Sequence, residues 1–231
     1  MISDWLSFWD SQHSIYVSAR HRDVHYRAIA AAIAALVPSP QARVLDYGSG
    51  EALHADRVAK AAGELLLCEG APSVRAGLAA RFAGNAKIKA LAPEDLARLP
   101  EHSLDLIVLH SVAQYLTQQQ AADLLALFHR MLKHEGVLVV SDVIPPDVSA
   151  FTDAFALLRF GAANGFLVAA FVGLVRTLLS DYWRLRSQFG LARYSEAATM
   201  ALLTTARFSA RRMPDNIGHN QARMAFLAKP A

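Results

Sequence analysis

Between Ala42 and Val143 the chain alternates short runs of Val, Leu and Ile with longer stretches in which apolar residues recur every three or four positions. The short runs predict strands at Ala42–Leu45, Glu64–Cys68, Ala86–Leu91, Leu104–Leu109 and Val137–Val143. The stretches between them predict helices at Leu53–Ala62, Pro72–Phe82 and Gln118–Leu132, with a short helical turn after Leu91. Strands that are apolar on both faces, separated by helices, imply a parallel sheet covered on each side. Gly63 and Gly136 stand where a helix should stop and a strand begin. The fold class is α/β.

The pattern changes at both ends. Phe208–Arg212 and Arg223–Leu227 predict two strands whose connection, Met213 to Asn220, is too short for a helical crossover, so the pair should be antiparallel. Residues 1–37 predict one or two helices rich in aromatics and histidines: Trp5, Phe8, Trp9, His13, Tyr16, His21, His25 and Tyr26. Residues 150–190 predict an apolar helical insert. Its longest uncharged run, Phe160 to Val175, is 16 residues, short of the ~20 needed to span a bilayer. Gly161 and Gly165 in it match G-x-x-x-G, a helix-packing pattern of little weight outside a membrane. The insert reads as a helical lid over an active site or a dimer partner, with peripheral membrane contact as a further use of its apolar surface.

At 231 residues and 54% hydrophobic, with a mean hydropathy of +0.23, the chain can bury a substantial core. Its one cysteine, Cys68, excludes an internal disulfide framework and reads as a buried strand residue in a reducing compartment. Acids and tryptophans occupy the first ten residues, where a signal peptide needs a basic and then an apolar stretch, so a cytoplasmic location is expected. The net charge of +3 hides an asymmetry: residues 151–231 hold ten Lys and Arg against four acids. Those arginines could face an anionic substrate or a membrane, or form a solvated rim. They are dispersed and lack an aromatic stripe, which argues against a nucleic-acid partner.

The chemistry concentrates at Val44-Leu45-Asp46-Tyr47-Gly48-Ser49-Gly50-Glu51-Ala52, where a strand ends in an acid and a glycine-rich turn opens a helix. Glycines there bring backbone N–H groups close to a ligand. Ala52 departs from the G-x-G-x-x-G dinucleotide pattern. An acid followed by G-x-G-x-(G/A) instead resembles motif I of the class I S-adenosylmethionine-dependent methyltransferases. Four later features strengthen that resemblance. Glu69 ends the second strand, where the family's acid grips the ribose. Glu94 and Asp95 precede Leu99-Pro100, where an acid accepts the adenine amine. Ser103 to Leu116, and Met131 to Asp142, resemble the family's fourth-strand and fifth-strand motifs, with His134-Glu135-Gly136 replacing Pro-Gly-Gly.

The resemblance implies a Rossmann-like methyltransferase fold with strand order 3-2-1-4-5-7-6. Residues 1–37 then form an N-terminal helical cap, and 38–231 the cofactor-binding domain with the lid inserted after strand five. It implies S-adenosylmethionine as cofactor, held by Asp46, Tyr47, Gly48, Ser49, Gly50, Glu69, Glu94 or Asp95, His110 and Ser111. Tyr16 and Arg20, four apart on an expected helix, share a face, and Arg20 could pair with the cofactor's carboxylate.

Each position also has a plain structural use. Asp95 can be a first-turn helix acid, His110 a bonded core histidine, His219 part of a satisfied turn, and Arg20 a surface ion-pair partner. As catalytic groups, His110 is the leading general base, with Tyr115, Tyr182 and His219 as further candidates. His21 and His25 have metal-ligand spacing, but without a third ligand no metal is assigned. The expected activity is methyl transfer to a small apolar or amphipathic acceptor. The alternatives are a cyclase resembling azetidine-2-carboxylate synthases, which closes the cofactor's own methionine chain and releases methylthioadenosine, and a non-catalytic cofactor-binding or membrane-surface protein.

Overall fold

The computed structural model describes Ser7, Trp9, Asp10, residues 16–178 and residues 191–231. Tyr182 and the rest of the 179–190 segment lie outside the described residues, as do Trp5, Phe8 and His13.

The element order is α1 (Ala19–Leu36), β1 (Arg43–Tyr47), α2 (Ala55–Ala61), β2 (Glu64–Cys68), α3 (Pro72–Arg81), β3 (Ile88–Leu91), β4 (Leu104–His110), α4 (Gln118–Met131) and β5 (Leu132–Val143). There follow α5 (Ala150–Asn164), α6 (Leu167–Leu178), α7 (Glu196–Thr205), β6 (Phe208–Arg212) and β7 (Met224–Pro230). Seven strands form one sheet in the order β3-β2-β1-β4-β5-β7-β6. The β1–β2, β1–β4, β2–β3 and β4–β5 pairs are parallel, and β7 is antiparallel to both β5 and β6. This is the Rossmann-like methyltransferase topology.

The two-residue period of the strands sorts the core into two layers. Val44, Leu65, Leu67, Leu106 and Val108 face one side, against Ile29, Ala30 and Ile33 of α1, Val58 and Ala59 of α2, and Leu78 of α3. Leu45, Leu66, Cys68, Ile107 and Leu109 face the other, against Leu125 and Phe128 of α4 and Leu203 of α7. Every ligand-facing loop of a parallel sheet leaves from the C-terminal strand ends, so Asp46, Glu69, His110 and Asp142 emerge along one rim.

One expected boundary moves. Helix α4 ends at Met131 and β5 begins at Leu132, so Gly136 lies inside the strand and caps no helix. The β4–β5 register shifts between Leu104 and Leu106, and a Cβ on Gly136 would sit 2.9 Å from the Leu104 and Lys133 carbonyl oxygens. The glycine serves close approach at a bulge.

The insert folds as a helical hairpin. Ser149 caps α5 by accepting from the Thr152 N–H at 3.2 Å, and Gly165 at φ +75° reverses the chain. A Cβ on Gly161 would lie 3.1 Å from the Ala170 Cβ, so the G-x-x-x-G pair splits its work between close packing and the turn. Among the described residues, no helix is long and apolar enough to cross a membrane.

Candidate active site

The turn after β1 is held from both sides. The N–H groups of Gly48 and Ser49 donate to the Cys68 carbonyl, and that of Gly50 donates to the Glu69 carboxylate at 2.8 Å. The Tyr26 hydroxyl of α1 accepts from the Glu51 N–H at 2.9 Å. Gly48 (φ +73°) and Gly50 (φ +57°) occupy the left-handed region. A Cβ would fall 2.3 Å from Val112 Cγ2 at the first and 2.6 Å from the Tyr26 hydroxyl at the second.

This rim is rich in acceptors that the protein leaves unmet. The Asp46 carboxylate makes no hydrogen bond among the described residues, and burial, reinforced by the neighbouring Glu69, pushes its pKa up to about 7. The Ser49 hydroxyl is buried without a partner. Glu69 is only 8% exposed and accepts from the Gly50 and Ala71 N–H groups, one to each oxygen, leaving further lone pairs on each. Cys68 beside it is buried and its thiol pKa is pushed up, chiefly by burial and then by Glu69, so it is no nucleophile.

At the ends of β4 and β5 a hydrogen-bonded chain runs through non-adjacent residues. Arg223 donates to Asp142 Oδ2 at 2.6 Å, and the Ser111 hydroxyl donates to the same oxygen at 2.6 Å. Ser111 Oγ therefore accepts from His110 Nε2 (3.2 Å), while His110 Nδ1 accepts from the Ser141 hydroxyl (3.0 Å). Both ring nitrogens are committed. Burial lowers the His110 pKa and keeps the ring neutral, although Asp142 opposes that shift. His110, expected as the leading base, thus lines the cavity with both ring nitrogens bonded within the protein. Ser111 and Asp142 sit at φ +57° and +63°, a strain of about 1–3 kcal/mol each. Burial acts to raise Asp142, but Arg223, His110 and the hydrogen bonds from Ser111 and Asn216 hold its carboxyl below the ordinary range.

Across the rim lies an aromatic wall. His21 stacks on Phe166 (centroids 4.9 Å, 20° apart) and His219 on Phe160 (4.8 Å, 15°). Tyr16 touches His21 and His25, each at 5.4 Å, and Tyr26 at 5.7 Å. Burial and nearby imidazoles lower His21 to about 4 and His25 to about 3. His219 is lowered too, mainly by burial. These imidazoles are neutral near pH 7, and no described residues form a metal-binding cluster. The His25 and His219 rings make no hydrogen bond among the described residues. Rim and wall enclose a cavity of about 2500 Å³, roofed by α5 and α6.

The expected site residues divide. Tyr16, Arg20, Asp46, Tyr47, Gly48, Ser49, Gly50, Glu69, Glu94, His110, Ser111, Tyr115 and His219 all line the cavity. Asp95 does not: its carboxylate accepts from the Ala92 N–H at 2.9 Å and pairs with Arg98, capping the turn after β3. Tyr16 precedes α1, whose cap is Ser18, so it shares no helical face with Arg20. The Arg20 Nε donates to the Asn164 carbonyl at 3.1 Å, tying α1 to the hairpin. Tyr115 meets Trp9 edge-on at 6.0 Å. Tyr26, Asp142, Asn216 and Arg223 were not singled out by sequence reasoning; the polar run Asn216–Asn220 and the acid ending β5 were their visible traces.

A family model described as "Methyltransferase domain" matches residues 45–140. That segment resembles a methyltransferase domain, and the sheet around it has the Rossmann-like methyltransferase topology. Solved structures agree at the level of fold. Magnesium protoporphyrin IX methyltransferase from Synechocystis PCC 6803, solved with bound S-adenosylhomocysteine (SAH), is 14% identical over all of this chain and 94% of its own, with a TM-score of 0.60. A putative methyltransferase from Haloferax volcanii, in complex with its Trm112 activator, is also 14% identical, covering 90% of this chain and 92% of its own (TM-score 0.58). Human N-acetylserotonin methyltransferase in complex with S-adenosylmethionine (SAM) is 16% identical over 89% of this chain, which spans 51% of its length (TM-score 0.56). No curated protein matches the sequence.

A methyltransferase domain implies SAM as its cofactor. The site's residues fit it. A ligand that carries an ammonium group, a ribose diol and an adenine amine brings donors, and the methyltransferase domain presents Asp46, Ser49 and Glu69 as acceptors beside a turn stripped of side chains.

Proposed function

We propose that the chain transfers a methyl group from SAM to a small, apolar or amphipathic acceptor held under the α5–α6 hairpin. The observation that carries this reading is the size and lining of the cavity. Its roughly 2500 Å³ is well beyond the ~300–1,000 Å³ of a site for one small ligand, and its far wall is aromatic and uncharged. That favours a second substrate over cyclisation of the cofactor alone.

Asp46, Glu69 and the Gly48–Gly50 backbone would hold the cofactor, with Glu94 at the edge. Bound there, it supplies a methyl group activated by a sulfonium. The chain's own work is then to place the acceptor in line, which can supply much of the barrier reduction, and to exclude water with the hairpin. His219 is our choice of base for an acceptor that arrives as a hydroxyl, since burial keeps its ring neutral and it makes no hydrogen bond among the described residues. His110 holds Ser111 and, through it, the Asp142 end of β5.

Incubation of the purified protein with SAM and an organic-solvent extract of cells tests this. SAH should accumulate together with a methylated product, and His219→Ala should lower turnover by about 10²-fold or more while still binding SAH. Accumulation of methylthioadenosine instead would establish the cyclase reading.

A further inference from the structure

We infer that the outward face of the α5–α6 hairpin rests on an anionic lipid bilayer. Among the described residues, large apolar side chains that face solvent are concentrated there: Phe155 is 67% exposed and Phe171 62%, both outside the cavity lining, while Phe151 (87%) and Val168 (78%) also border the cavity. They are ordered, not scattered. Phe151, Phe155 and Arg159 recur every fourth residue along α5, and Val168, Phe171 and Val175 at three- and four-residue steps along α6, so each set forms one ridge. A contiguous apolar surface of this kind marks a binding face.

Charge selects the occupant. Between residues 150 and 176 the exposed charges are Arg159, outside the cavity lining, and Arg176, which also borders the cavity, while the one acid, Asp153, is turned inward onto Arg223 and Asn220. The face is apolar and cationic with no acid on it, the combination that anionic interfaces attract. A second copy is disfavoured by the same facts: a two-fold contact through this face would set arginines against arginines with nothing to neutralise them. At 15 and 12 residues the helices are short of a bilayer span, so the hairpin lies in the interface.

Because the inner faces of the same helices line the cavity, the acceptor would be a lipid-soluble molecule taken from the membrane. That corollary alone rests on the methyl-transfer reading. The bilayer contact stands without it.

The test is co-sedimentation of the full chain with vesicles, without cofactor or acceptor. The protein should pellet with mixed phosphatidylcholine–phosphatidylglycerol vesicles and bind phosphatidylcholine alone more weakly. Arg159→Gln should reduce binding to the mixed vesicles about fivefold and leave binding to phosphatidylcholine unchanged. Phe155→Ser/Phe171→Ser, at positions outside the cavity lining, should reduce both by at least about tenfold while SAH binding, measured by calorimetry, is retained. Absence of sedimentation, or wild-type sedimentation by the double serine variant, would overturn the inference. So would a wild-type dimer in analytical ultracentrifugation that the double serine variant breaks, since a second copy would then cover the face.

Discussion

Asp46, one residue before the end of β1 and beside Glu69, has a carboxylate without a partner among the described residues, and burial pushes its pKa up to about 7, into the physiological range. The sign of its effect follows. Its folded pKa lies above the ordinary 3.8, so the folded protein is penalised increasingly as pH rises from about 4 to 7, and fully above that. Asp46→Asn removes the penalty. The variant should melt at a higher temperature than the wild type at pH 8, by about 2–4 °C for each kcal/mol gained, and the gap should close as pH falls. A ligand ammonium at Asp46 reverses the balance by favouring the ionised carboxylate. Wild-type affinity for SAH should therefore increase from pH 6 to 8, and the variant should lose both that pH dependence and about tenfold or more in affinity. Calorimetric titration at the two pH values checks this. A variant that binds as tightly as the wild type would remove Asp46 from the site.

The β1 turn is the element on which the site depends, and its logic is local: an acid, two glycines and a helix start in nine residues. That is why it was legible in the sequence, along with the strand–helix alternation and the antiparallel β6–β7 pair. Period two and period 3.6 are properties of neighbouring residues. The His110 chain was not legible, because its links to Ser141 and Asp142 span 31 residues and that from Asp142 to Arg223 spans 81. Sequence placed His110 at a strand end facing the cleft, but its ring could not be called a base or a bonded residue until Ser141 and Ser111 were beside it. Asp95 shows the same limit in reverse, since the turn acid and the adenine acceptor have one sequence signature. For the turn, Gly50→Ala combines a left-handed φ with a Cβ 2.6 Å from the Tyr26 hydroxyl, and should cost about 1–3 kcal/mol and most cofactor affinity. Adding Tyr26→Phe removes the clashing oxygen, at the loss of its bond from the Glu51 N–H, and leaves the φ strain. In urea unfolding, the double variant should regain part of the lost stability. Full recovery would mean that φ at Gly50 carries no cost.

At the scale of the molecule, Arg223 joins parts that the chain order keeps apart. It stands just before β7 and donates to Asp142 at the end of β5 and to Asp153 of α5 at 3.0 Å, with all three side chains between 12% and 17% exposed. The hairpin thus roofs the cavity on an ion network anchored in the sheet, and on the Arg20–Asn164 bond from α1. Removing the cation alone leaves two largely buried carboxylates without their shared countercharge, which costs about 3–5 kcal/mol. Replacing the whole network by neutral groups of similar shape removes that penalty. Arg223→Met should therefore be strongly destabilised, and Arg223→Met/Asp142→Asn/Asp153→Asn should recover most of the loss. The single variant should recover partly as pH falls and Asp142 takes up a proton, opposite to the wild type, where the lowered Asp142 pKa makes stability decline with acid. Hydrogen exchange locates the effect. If the network is the hinge between hairpin and sheet, amides of α5 and α6 in Arg223→Met should exchange faster while those of β1 and β4 hold. Uniform acceleration across the chain would mean that Arg223 supports the core as a whole, with no separate hold on the roof of the site.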